Sequence, residues 1–121
     1  MNPKYHDVTI RSANLLVKKF ERLVDQHYHD HSFDLGQMAT AMDMSERQLQ
    51  RKLKFLTSRT PSEYVRTFRL SKSLEYLLAG ATVQDTAKAV GFSSQAYFAS
   101  CFKAEYGGTP TQYRQRHMQL F

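Results

Sequence analysis

Apolar residues in this 121-residue chain recur at helical spacing, and no stretch alternates as a strand would. Leu15, Leu16, Phe20, Leu23 and Val24 fall on one stripe over residues 12 to 26, with Lys18, Lys19, Arg22 and Asp25 on the polar side, which predicts an amphipathic helix. Asp34 with Gln37 three positions on predicts the start of a short helix over 35 to 42. Asp43-Met44-Ser45 breaks that pattern, because Asp tolerates the left-handed conformation of a tight turn and Ser45 with Gln48 forms a capping box. A new helix then starts at Glu46, its core face Leu49, Leu53 and Leu56 and its outward face Arg47, Gln50, Arg51 and Lys54. Thr60-Pro61-Ser62-Glu63 supplies N-cap, first-turn proline and capping glutamate for a long helix that Gly80 ends.

The grammar then repeats. Thr82 and Asp85 open a helix through Val90, Gly91 takes the turn, and Ser93 or Ser94 caps a helix to about Tyr106. Gly107-Gly108 stops it, and Thr109-Pro110-Thr111-Gln112 starts another. An offset of 48 matches Leu35 to Val83, Ala39 to Ala87 and Met42 to Val90, and an offset of 49 matches Ser45 to Ser94, Leu49 to Phe98, Leu53 to Phe102 and Tyr64 to Tyr113. Two unrelated amphipathic helix pairs share apolar spacing, but chance rarely keeps caps and prolines in step as well. The predicted class is all-α, two helix-turn-helix subdomains joined by a long central helix. The expected divisions are an N-terminal lead over 1–11, subdomains over 12–59 and 81–121, and the linking helix over 60–80.

Charge sharpens this picture. The formal net charge is +6, and the stretch from Arg47 to Lys72 holds eight Lys or Arg against one acid, Glu63, so it more than supplies the excess. Such a surface favours a polyanionic partner. The single cysteine, Cys101, excludes an intramolecular disulfide and suits a reducing compartment. The N-terminal residues lack a basic-then-apolar signal segment, and no apolar run approaches the roughly 18 residues of a membrane span. A cytoplasmic location with no membrane contact by this segment is expected. Nothing in the chain resembles a sensor, so a missing N-terminal sensor or receiver domain is expected too.

A helix pair is a common packing unit and becomes a DNA reader only through the exposed face of its second helix. Here that face begins with Arg47, Gln50 and Arg51; Arg can donate two parallel hydrogen bonds to guanine, and Gln can pair with adenine. A merely solvated face would intersperse Glu with Lys. Leu49-Gln50-Arg51, Lys54, Pro61-Ser62-Glu63-Tyr64, Arg69-Leu70, Ala87, Val90-Gly91-Phe92-Ser93-Ser94, Tyr97-Phe98, Phe102-Lys103 and Thr109-Pro110-x-x-Tyr113-Arg114 together resemble the signature of the AraC/XylS transcription regulators. The resemblance covers roughly residues 12 to 116. Arg51-Lys52-Leu53-Lys54 and the segment from Glu63 to Leu70 look like the C-terminal output domains of hybrid two-component sensors.

That resemblance implies about seven helices, with recognition helices in successive major grooves of double-stranded DNA and RNA polymerase as a downstream partner. Carried over by position, it implies base contacts from Arg47, Gln50 and Arg51 in the first lobe and from Gln95, Ala96, Ala99 and Ser100 in the second. It implies phosphate contacts from Ser45, Lys54, Ser94 and Lys103. The chain departs from the family where Arg or Lys is common at Ser100 and Lys at Ala104, which weakens the second reading head. Ser58 stands where a helix-ending Gly is usual.

Other features take plainer readings. His27, His29 and His31 with Asp25 and Asp30 invite a metal site, but solvated polar residues at a helix end explain them, and no metal or cofactor is expected. Cys101 lies between apolar anchors and reads as a partly buried packing residue. Tyr97 is read as packing in its lobe, and Met38, Met42 and Met44 as core filler. No paired carboxylates, activated nucleophile or phosphate loop stand out, so no enzymatic activity is expected. The alternative is a basic helical interaction module docking an acidic protein; RNA binding fits less well, because the aromatics sit at core spacing.

Overall fold

Every helix start after the first is set by a side chain that accepts a free amide of the first turn. A computed structural model describes residues 3–118 of the chain, with side chains from residue 10 onward. Seven helices occur among the described residues: α1 (Pro3–His27), α2 (Leu35–Ala41), α3 (Glu46–Thr57), α4 (Pro61–Leu78), α5 (Val83–Ala89), α6 (Gln95–Tyr106) and α7 (Pro110–Met118), with no strand. The capping boxes at Asp34, Ser45, Thr60 and Thr109 are all closed, each cap oxygen accepting an amide three residues on and the reaching Gln or Glu accepting the cap amide.

The chain divides into two compact units. One holds α1, α2, α3 and the first turn of α4, that is, the chain up to His27 together with Phe33–Tyr64. Its core is Phe20, Val24, Phe33, Met38, Ala39, Met42, Leu49 and Leu53. Phe20 meets Tyr64 edge-on at 5.2 Å, and His27 stacks on Phe33. The other unit holds the rest of α4, α5, α6 and α7 around Leu70, Leu77, Ala87, Val90, Phe92, Phe98 and Phe102, with Cys101, Tyr106 and Tyr113 packed against this cluster. Tyr28–Ser32 belongs to this second unit, although it follows α1 directly.

Arg69 explains that assignment. Its Nε donates to the Tyr28 carbonyl at 2.7 Å and its Nη2 to the Asp30 carbonyl at 2.9 Å. The turn between α5 and α6 lies against the same strand of backbone: Gly91 has φ 94°, and a Cβ there would run into the Tyr28 carbonyl oxygen and the Arg69 side chain. Only glycine fits both the conformation and the space. In the first unit the equivalent turn is made by Asp43 at φ 57°, as its tolerance of the left-handed region predicts, and Ser58 closes α3 at φ 63° in the usual place of a glycine.

Several expected boundaries shift. The first helix begins at Pro3, so residues 3–11 are helical where a lead was expected. Leu15, placed on the packing stripe, is 66% exposed, and Leu56 is only half-buried. Both lie at the margin of their stripes, where a small rotation of the helix moves a side chain into solvent. Met42 and Val90 cap α2 and α5 instead of extending them, and Ser94, not Ser93, caps α6. Met44 is half-buried, beside the fully packed Met38 and Met42.

Candidate nucleic-acid interface

In α3, Leu49 and Leu53 are buried completely and anchor one face. At about 100° per residue, Arg47, Gln50, Arg51 and Lys54 then share a single stripe on the opposite side, and all four are exposed. Ser45 and Gln48 are occupied with each other's amides at 3.1 Å, which fixes where the helix begins and hence which way the stripe points. Lys54 is partly committed: its Nζ donates to the Ser58 carbonyl at 3.1 Å and lies 4.0 Å from the Glu63 carboxylate. Both groups of that ion pair are substantially exposed, so it contributes little.

In α6, Phe98 and Phe102 provide the buried anchors, and Gln95, Ala96, Ser100 and Lys103 are exposed with Ala99 half-buried. The Ser94 hydroxyl accepts the Tyr97 amide at 3.1 Å. The capping box is left open at Ser94, because Tyr97, whose side chain has no amide or carboxylate oxygen to return a bond to the Ser94 amide, stands where Gln48 stands in α3. Tyr97 itself packs edge-on against Phe92 at 5.8 Å yet is 49% exposed, so its ring serves the core on one side and solvent on the other. A cleft of about 400 Å³ at the start of α6 is lined by His31, Gln84, Lys88, Ser94 and Gln95. The sequence carries no signal that joins His31 and Lys88 to Gln95, because the grouping depends on how the Tyr28–Ser32 segment docks in this unit.

The basic stretch is less uniform than its charge suggests. Arg69 is turned inward, and burial lowers its pKa while the nearby Asp30 carboxylate opposes the shift. Lys72 sits 5.5 Å over the Phe68 ring. Arg47, Arg51, Lys52 and Arg59 are exposed. Cys101 is partly buried and packs against the second core, as expected. No group of three or more His, Cys, Asp or Glu among the described residues could hold a metal ion, and no helix among them is long and apolar enough to cross a membrane.

A family model described as a helix-turn-helix domain matches residues 38–116. The chain belongs to the AraC-type helix-turn-helix family. Histidine kinase P4 of Formosa agariphila is 29% identical over 117 residues, 95% of this chain and 8% of the kinase. Three curated transcription regulators are matched over 30–33% of their length, so the chain spans well under half of these curated relatives. The C-terminal domain of the two-component response regulator yesN from Fusobacterium nucleatum is similar with a TM-score of 0.75 at 28% identity, covering 78% of this chain and 93% of that domain. The DNA-binding domain of AdpA, a global transcriptional factor solved with a target DNA, is similar with a TM-score of 0.77 at 25% identity, over 84% of this chain and 91% of that one. The all-α class, the AraC-type domain of transcription regulators and the likeness to two-component proteins are thus borne out.

Proposed function

We propose that this AraC-type domain reads double-stranded DNA by laying α3 and α6 in successive major grooves, as the DNA-binding part of a longer bacterial signalling protein. The observation that carries this reading is the exposed stripe of Arg47, Gln50, Arg51 and Lys54, aimed outward by fully buried leucines on a helix with a closed capping box. Arg47 and Arg51 suit guanine edges and Gln50 adenine. In α6, Gln95 and Ser100 can make single or water-bridged bonds, and Ala96 and Ala99 can touch thymine methyls. Ser45, Ser94, Lys54 and Lys103, joined by Lys88, are the phosphate contacts. The first unit therefore supplies most base discrimination and the second fixes register.

The small share of each curated relative that the chain spans supports a sensor or receiver region elsewhere in the full protein. Control of transcription through placement of RNA polymerase belongs to the same reading. Selection of bound duplexes from a random pool tests the reading directly. It should return an asymmetric site of two segments about 10 base pairs apart, with the sharper preference under α3. Affinity should fall by roughly 10³ between low and moderate salt if about six phosphates are neutralised. An unenriched pool, or binding flat in salt, would sink the proposal.

A further inference from the structure

Beside the reading stripe of α3 the surface changes character. Phe55 is 86% exposed, on the same helix whose Leu49 and Leu53 are completely buried. Together with Ala13, Leu16 and Leu56 it lines an open groove of about 390 Å³ between α1 and the C-terminal half of α3, with Arg51 and Lys52 along the edge and no carboxylate among the described lining residues. Base edges and phosphates would leave this apolar floor unused. An exposed aromatic in an apolar groove rimmed by cations is the kind of surface that receives the apolar face of an amphipathic helix.

We infer that this groove docks an acidic amphipathic helix of a protein partner, its apolar residues on Phe55 and Leu16 and its carboxylates on Arg51 and Lys52. A second copy of the chain fits poorly, since it would bring the same two cations face to face. A small ligand is better served by an enclosed cavity. Resting on the functional reading above, a second consequence follows: the occupant covers Arg51, so partner and DNA compete for α3.

The test is fluorescence anisotropy of the whole chain with a labelled synthetic helix bearing Leu and Phe at i, i+3, i+4 and i+7 and Glu between them. Saturable binding is expected, weakened at least about tenfold by Phe55→Ser, as for an aromatic anchor, and weakened also by Lys52→Glu. A helix with Lys in place of Glu should bind the parent poorly and the Lys52→Glu variant better. Selected duplex should displace the peptide, while Phe55→Ser leaves duplex affinity unchanged. Equal binding of the Glu and Lys helices, or indifference to Phe55→Ser, overturns the docking. So does a dimer in sedimentation that Phe55→Ser abolishes. A ternary complex overturns the competition. Peptide binding by a chain that binds no duplex would uphold the groove and sink the DNA reading alone.

Discussion

Ser58 shows how much a single backbone angle can decide. It ends α3 at φ 63°, a conformation that costs a side chain roughly 1–2 kcal/mol, partly offset by the greater freedom glycine would have in the unfolded chain. Its role as an amide donor to Lys54 and a carbonyl acceptor for the Lys54 ammonium is backbone only, so Ser58→Gly keeps both bonds. Ser58→Gly should therefore stabilise the chain by about 0.5–1 kcal/mol, seen as a higher denaturant midpoint at unchanged slope. A lower midpoint would show that the left-handed residue is not strained. At the same scale, Arg51→Ala should cost about 1–3 kcal/mol on the selected duplex and relax preference at one position, whereas Lys103→Ala should weaken all duplexes alike. Competition titrations against single-base variants of the site separate the two.

Between elements, Arg69 ties the segment after α1 to the turn that precedes α6. Its pattern in sequence is that of one more cation in a basic run, and its partners lie 41 and 39 residues away. Local signals could not have exposed this, because the two carbonyls become acceptors only once the second unit has packed. Arg69→Met should destabilise the protein by about 1.5–3 kcal/mol, the usual net value of hydrogen bonds from a charged donor. Arg69→Lys should restore little, since a single ammonium cannot reproduce the planar fork that serves two carbonyls. Chemical denaturation of the three proteins gives the comparison. Full recovery with lysine would reduce Arg69 to a simple charge. The caps after α1, by contrast, were legible from sequence to within one residue, because Ser45 with Gln48 or Thr109 with Gln112 lie within one helical turn of each other.

For the molecule as a whole, the alkaline side involves two tyrosines with raised pKa, one in each compact unit. Burial, then the Glu21 carboxylate, raises the pKa of Tyr64; burial, then Glu105, raises that of Tyr106. Both hold their proton more tightly folded than unfolded. Their contribution is therefore complete below the ordinary tyrosine value of about 10 and is lost as pH climbs through the raised values. Melting temperature should fall above about pH 10 in the parent and fall less steeply in a Tyr64→Phe, Tyr106→Phe double variant. Identical alkaline profiles would remove these phenols from the account.

What the sequence determined by itself is everything that depends on neighbours within a turn or two: the six helix starts after α1, the left-handed turns at Asp43 and Gly91, the buried anchors of α3 and α6, and the outward stripes that follow from them. The tertiary structure decided what each charged or apolar group does with its surroundings. It turned Arg69 inward, left Phe55 in solvent beside Arg51, and gathered His31 and Lys88 next to Gln95. Helical periodicity assigns a residue to a face, but packing of segments distant along the chain determines whether that face meets a carbonyl, a ring or water.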